Sequence, residues 1–402
     1  MPTKKATHQQ TKQHNQDLVL KTFFENELIS RAEIARVTKL TPATVSDMVA
    51  TLIEEGLVKE AGYGASIGGR SPILLNLAAD SRYLIGLNLA QDKFIAAVVN
   101  LRGEIKDTFE APVSSNNSEQ ALQMVYQILD QVIEKGWAPI VGIGVGTPGL
   151  VNTSEGVVVS AVNLNWHDLP LARLLESRYH LPVSVLNDSQ ATAIGEFVYN
   201  GNYKSDGNLI VVNVGYGIGA GILINGRIFQ GDGGAAGEIG HVVAQENGIA
   251  CRCGRRGCLE TVASTRAVIQ RAQALAPEYA GSTLAADPQN ITLESLKAAC
   301  LANDPLARRV ITEAGHYLGS SIAGLIGILN IKTIVLTGEM ARFGEPWLQS
   351  VRECMLEGAL ARMAEDTQLE IGKLEFRGCI LGASASMLLN GYSLLFTQTA
   401  PN

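Results

Sequence analysis

A chain of 402 residues, 46% hydrophobic and 18% charged, is too long for one small core and is expected to form two or three compact units. No apolar run reaches the ~20 residues of a bilayer-spanning helix and the polar start has no secretory core, so membrane and export classes are set aside and a cytoplasmic protein is expected. The formal charge of −7 excludes a uniformly basic surface; residues 1–77 carry +1 and the rest −8, so any nucleic-acid contact is local to the amino-terminal segment.

Residues 1–14 read as a disordered polar tail and 16–26 as a helix through Leu18, Val19, Phe23 and Phe24. Ser30 stands three residues before Glu33, the spacing of a capping box, and opens a short helix through Ile34 and Val37. Thr41 caps a third helix with Pro42 at its first position. There Val45, Met48, Val49, Leu52 and Ile53 form one apolar stripe and leave Ala43, Thr44, Ser46, Asp47 and Ala50 facing out. Two short helices joined by Thr38-Lys39-Leu40, the second showing small side chains near its start, match a recognition helix that enters the major groove. Arg31, Thr41, Ala43, Thr44 and Ser46 are the candidate DNA contacts on these helices. LVKEAG and SPILLNL, joined by the flexible YGASIGGR, read as a two-stranded wing with Arg70 at its tip, within reach of a narrow minor groove. Residues 15–78 are thus expected to be a winged helix-turn-helix that binds operator DNA.

The body repeats a theme. Residues 83–110 give three strands, followed by a helix at about 118–135 and the strand IVGIGVG; NLIVVNV, GAGILI and GRIFQ again give three strands, and an αβ tail runs to TIVLTGE. Two similar α/β lobes, 80–204 and 205–380, are expected to enclose a ligand cleft, and residues 381–396 read as a helix that crosses back to complete the first lobe. Cys251, Cys253 and Cys258 lie within eight residues, a spacing suited to a metal, with Gly254 and Gly257 letting the chain turn tightly. Zinc takes four such ligands, and the fourth is missing locally. Cys300, Cys354 and Cys379 are isolated and read as core residues.

Five stretches in this order, GVGTPGLVN (144–152), NDSQATAIGE (187–196), VGYGIGAGI (214–222), GEIGH (237–241) and CRCGRRGCLE (251–260), resemble the ROK family of bacterial sugar kinases and repressors. The resemblance covers essentially the whole chain, and the head places it beside the NagC/Mlc and xylose-repressor branch. It implies an actin-like, sugar-kinase-like two-lobed fold of duplicated α/β halves behind the winged helix-turn-helix. It also implies that His241 is the fourth ligand of a structural Zn²⁺ held with Cys251, Cys253 and Cys258. Asn187, Asp188, Glu238, His241 and Glu260 would hold a small sugar or sugar phosphate effector. Metal on one ring nitrogen of His241 would aim the other at the sugar.

In kinases of this family the residue at Asp188 is the general base, but the phosphate cradle departs from the pattern. Asn88-Leu89-Ala90-Gln91-Asp92 stands where an Asp-x-Gly-Gly-Thr loop is expected, Tyr216 replaces a threonine, and Thr337-Gly338-Glu339 replaces a glycine pair. The expectation is a sugar-responsive repressor of carbohydrate genes without kinase activity, Asp188 being a vestigial base. The alternative is a bifunctional sugar kinase carrying a DNA-binding domain; a sensor acting only on protein partners fits the exposed helix face poorly. A homodimer or homotetramer and a regulatory partner protein complete the expected partners, with no membrane among them.

Overall fold

The structure, a computed structural model, describes residues 8–65, 71–113, 117–200, 207–389 and 391–396. The head comprises α1 (His8–Glu25), β1 (Ile29–Ser30), α2 (Arg31–Thr38), α3 (Pro42–Glu54), β2 (Val58–Tyr63) and β3 (Ile73–Leu77). Both helix starts form as their sequences dictate. The Ser30 hydroxyl accepts from the Glu33 amide while the Glu33 carboxylate accepts from the Ser30 amide, and Thr41 Oγ1 accepts from the Thr44 amide. The three strands pair in the order β1-β3-β2, all antiparallel, which makes the wing. Two expectations change. Helix α1 begins at His8, so residues 8–14 are helical rather than a disordered tail; residues 8–16 contain neither Gly nor Pro to stop a helix anchored by buried Val19, Leu20 and Phe23. Residues 1–7 and Arg70 lie outside the described residues.

The body has two five-stranded sheets. The first contains β4 (Tyr83–Leu89), β5 (Lys93–Asn100), β6 (Ile105–Pro112), β7 (Ile140–Thr147) and β11 (Val183–Asn187), in the order β11-β7-β4-β5-β6. The second contains β12 (Leu209–Val214), β13 (Ile218–Ile224), β14 (Arg227–Ile228), β15 (Thr333–Thr337) and β16 (Gln368–Ile371), in the order β14-β13-β12-β15-β16. In both, the first three strands form an antiparallel meander and the last two add in parallel on the other side, so the lobes are duplicates in topology. Strand β5 is buried from Phe94 to Asn100, which is why it reads as an uninterrupted apolar run. A small sheet of β8 (Leu150–Asn152), β9 (Val157–Ala161) and β10 (Trp166–Leu169) extends the first lobe.

Helices α4 (Ser118–Glu134) and α5 (Leu171–Tyr179) cover one face of the first sheet, with Val125, Ile128, Leu129, Leu171 and Leu175 buried against Ile85, Leu87 and Val145. Helix α6 (Asp188–Tyr199) lies between the sheets. The second lobe is completed by α7 (Glu260–Ala263), α8 (Thr265–Leu275), α9 (Leu293–Leu301), α10 (Pro305–Leu329), α11 (Glu345–Gly358) and α12 (Ala361–Glu365). The last helix, α13 (Arg377–Leu389), packs on β4, β7 and α6 and so completes the first lobe, but it starts and stops earlier than 381–396. Gly391, at φ +135°, ends the run, and residues 393–396 form a separate 3-10 turn.

Head and body share one hydrophobic core. Val19, Leu20, Phe23, Val49, Leu52 and Leu75 of the head are buried with Leu84, Leu101, Val141, Leu388 and Leu395 of the body. The Arg102 guanidinium donates to Phe24 O (3.0 Å), Asn26 O (2.9 Å) and Asn76 Oδ1 (3.2 Å), and Phe24 stacks on Tyr392 at 5.0 Å. The head is therefore seated on the first lobe rather than tethered to it.

Candidate functional site

A cleft of 1220 Å³ opens between the lobes, at the carboxyl ends of β4, β7, β11 and β12. Its lining brings together all five candidate sugar residues: Asn187, Asp188, Glu238, His241 and Glu260. Parallel pairing of β11 with β7 sets Asn187 beside Thr147 at the sheet's end. There Asn187 Oδ1 accepts from the Ser189 and Gln190 amides and its Nδ2 donates to Gly149 O (3.0 Å). Asn187 is thus the cap of α6, and Asp188, one residue on, is freed from that duty. The Asp188 carboxylate accepts from the Ser189 amide (2.7 Å), and burial pushes its pKa up to about 6.

Glu238 follows Gly237, whose φ of +101° and a backbone that leaves a Cβ only 1.8 Å from Ala220 O admit glycine alone. Burial, then the charges of Asp188 and Glu260, push Glu238 up to about 7. Glu260 is buried at the start of α7, where its Oε2 accepts from the Ile218 amide (3.3 Å). Three carboxylates held around one cavity are strong acceptors for donors that bring no charge, which suits a polyhydroxyl ligand.

The cysteine loop folds back on His241. Ligand atoms of His241, Cys251, Cys253 and Cys258 all lie within 4.8 Å of one another, with Cys253 Sγ to Cys258 Sγ at 3.6 Å and His241 Nδ1 to Cys251 Sγ at 3.7 Å. A tetrahedral centre with bonds of about 2.0–2.3 Å has edges of roughly 3.5 Å, so the two shortest pairs already match such an edge and the set could hold a metal ion once the wider pairs draw in. Gly257 permits the fold, since a Cβ there would meet Gln245 O at 1.8 Å. His241 turns its other nitrogen, Nε2, to Glu238 Oε2 at 3.9 Å.

The same cleft carries Asp92, Glu339 and Tyr216. Although Glu339 presents some surface to solvent, partial burial and then the charge of Asp92 raise its pKa. The guanidinium groups of Arg252 (4.8 Å) and Arg266 (5.7 Å) both lie over the Tyr216 ring. Six carboxylates and three Lys or Arg line the whole cleft, an environment that disfavours a polyanion.

Several lining residues escape the sequence. Arg252 sits inside the Cys-x-Cys spacing where only the cysteines draw notice, and Asn163 and Phe376 have no motif at all. Cys379, expected as a plain core residue, is buried but lines the cleft floor beside Asp188; its thiol pKa is raised by burial and then by that carboxylate. Cys300 is buried as expected, and Cys354 only half-buried.

On the head, Thr41, Ala43 and Ser46 are exposed, as a groove-facing surface requires. Thr44 is half-buried, with its hydroxyl 2.8 Å from Thr41 Oγ1, and Arg31 lies 4.0 Å from Glu60 of the wing. Exposed Arg36 and Lys39 flank the same turn, and their charge is the signal that reading for small side chains passes over.

The family model of the ROK family matches residues 84–388, and that of the winged helix-turn-helix DNA-binding family matches residues 17–59. The chain is 33% identical to the xylose repressor of Caldicellulosiruptor bescii over 391 residues, covering 95% of this chain and 97% of that protein. It is similar to the crystal structure of a ROK family transcriptional regulator, a homolog of the E. coli MLC protein, at 28% identity and a TM-score of 0.82, over 93% of this chain and 95% of that one. A ROK family glucokinase from Streptomyces griseus, solved with glucose and AMPPNP, matches at 27% identity and a TM-score of 0.68, covering 98% of itself but 76% of this chain. The chain belongs to the ROK family, with a winged helix-turn-helix ahead of the family's body.

Proposed function

We propose that this protein is a sugar-responsive, DNA-binding transcriptional repressor of carbohydrate genes whose kinase-like body does not phosphorylate sugar. The observation that carries the reading is the continuous core that seats the winged head on a body whose cleft gathers Asn187, Asp188, Glu238, His241 and Glu260. Hydroxyls of a small sugar or sugar phosphate donate to the three carboxylates, Asn187 Nδ2 keeps a second hydrogen to donate beside its bond to Gly149 O, and His241 contributes Nε2. A structural Zn²⁺ on His241, Cys251, Cys253 and Cys258 fixes that imidazole; four protein ligands leave it no open position for catalysis. Asp188 keeps the place of a kinase base, but Asp92 and Glu339 stand where phosphates would gather, and their charge opposes ATP.

Effector binding draws the lobes together and, in a homodimer or homotetramer, changes the separation of the heads on operator DNA. A coupling of ~1–3 kcal/mol would alter operator affinity about 5–150-fold. The support for repression over phosphoryl transfer is the likeness to a xylose repressor and to an MLC homolog over 95% and 93% of this chain, whereas the glucokinase likeness covers 76% of it. The test is a mobility-shift titration on the protein's own upstream DNA with a panel of pentoses, hexoses and N-acetylated sugars, alongside an ATP–magnesium turnover assay. Operator binding shifted by one sugar, with no sugar phosphate formed, is the expected result. Turnover at ordinary kinase rates, lost in Asp188→Ala, would establish the bifunctional kinase instead.

A further inference from the structure

Arg252 connects three elements that the cleft must hold in register. Its Nη1 donates to Asn163 Oδ1 at 2.7 Å, its Nη2 lies 3.7 Å from Glu260 Oε1, and its guanidinium covers the Tyr216 ring at 4.8 Å. Asn163 belongs to the first lobe; Tyr216, Glu260 and Arg252 itself belong to the second. The bond to Asn163 therefore crosses the cleft between two residues 89 positions apart.

Both ends of that bond are anchored. Arg252 sits between Cys251 and Cys253, in a loop closed by the Cys251 amide to Arg255 O (2.7 Å) and the Gly254 amide to Cys251 O (3.0 Å). Asn163 sits on the turn between β9 and β10, flanked by buried Leu164 and by buried Trp166, whose indole donates to Ser118 O. The link itself is solvent-facing and made to a neutral amide, so it is modest in strength and can open and close. Only a planar fork serves a hydrogen bond, a carboxylate and an aromatic face at once, which lysine cannot do.

We propose that Arg252 is a positioning residue for the effector: a strap from the cysteine loop to the first lobe that holds the two lobes in register across the cleft and keeps Glu260 aimed into it. This rests on the reading of the cleft as a sugar site. With the strap intact, part of the ordering that sugar would otherwise impose is already in place, so the strap raises sugar affinity without touching the sugar.

The experiment titrates sugars into the full-length, metal-loaded protein by calorimetry and repeats the titration with Arg252→Ala, Arg252→Lys, Asn163→Ala and the double variant Arg252→Ala/Asn163→Ala. Zinc content and melting temperature are measured on each. The expected result is an affinity about tenfold weaker in Arg252→Ala, no rescue by Arg252→Lys, and a smaller loss in Asn163→Ala that does not add to the first in the double variant. Asn163→Ala keeps the test decisive should Arg252→Ala disturb the metal, because Asn163 lies in the other lobe. Wild-type affinity in both single variants, or losses that simply add, would overturn the strap while leaving the sugar site standing. Wild-type protein that binds no sugar overturns the cleft reading and the strap together.

Discussion

The imidazole of His241 and the carboxylate of Glu238 approach to 3.9 Å through Nε2, while Nδ1 of the same ring lies 3.7 Å from Cys251 Sγ. One side chain thus has an edge in the candidate metal centre and an edge in the cleft, so losing the metal should release the ring proposed to meet the effector. Cys251→Ser or Cys258→Ser is expected to lose stoichiometric zinc, lower the melting temperature by roughly 5 °C or more, and abolish the sugar response, although neither sulfur reaches the effector. Glu238→Gln should keep zinc and DNA binding and lose only the response. Metal analysis and sugar titration on the same samples decide the matter: a cysteine variant that has lost zinc yet binds sugar normally makes the metal a remote staple.

A pH dependence follows from Asp188. Burial raises its pKa to about 6, above the 3.8 of a free aspartate, so the folded, unliganded protein holds this proton more tightly than the unfolded chain does. Its contribution to stability is therefore greatest below the unfolded value and is lost as pH rises through about 6. Sugar hydroxyls donate to the ionised form, so effector binding should release a proton and weaken by up to about tenfold from pH 7 to pH 5. In Asp188→Asn the same titration should be weaker at pH 7 and less steep, the remaining dependence coming from Glu238, whose pKa is pushed up to about 7. A wild-type affinity that does not change over this range would remove Asp188 from the sugar contacts.

What could be read from the chain follows the reach of each signal. Apolar runs such as Tyr83–Leu89 and Ile140–Thr147 are bounded by turn residues, and the caps at Ser30 and Thr41 act within three residues, so these elements stand where local chemistry puts them. The carboxy-terminal helix was harder to bound because its apolar sequence continues past Gly391, whose backbone only the fold reveals. Pairs such as Arg252 with Asn163, or Arg102 with the head's carbonyls, join distant segments without any periodicity, and only the lobes' packing brings them together. The cysteine motif drew attention to its ligands; the arginine between them carried no local mark.

The seat of the head offers a third prediction. Arg102 alone satisfies two backbone carbonyls and the Asn76 amide oxygen at the junction, and truncating it leaves those acceptors without their charged donor. Arg102→Ala should cost about 2 kcal/mol at the junction, seen as an early unfolding transition of the head, with sugar affinity and zinc content unchanged. The operator affinity should then cease to respond to sugar. If a single cooperative transition and a normal response persist, the shared core around Leu84, Leu388 and Leu395 suffices to couple head and body.

Recognition by α3 can be tested by bulk as well as by deletion. Ala43 is exposed on the first turn, so Ala43→Leu is tolerated by the fold and by helix propensity but should prevent the helix from entering a groove. Ser46→Ala removes an exposed hydroxyl from the same face and should cost about 1–2 kcal/mol against the preferred operator and little against unrelated DNA. Thr44→Ala is less clean, because it also breaks the contact with Thr41 Oγ1 that steadies the helix start. Arg36→Ala and Lys39→Ala should weaken every sequence alike and each reduce the salt dependence by about one phosphate contact. Mobility shifts at two salt concentrations, with circular dichroism to show an intact fold, separate these effects. Undiminished operator binding by folded Ala43→Leu protein would show that another surface of the head reads the DNA.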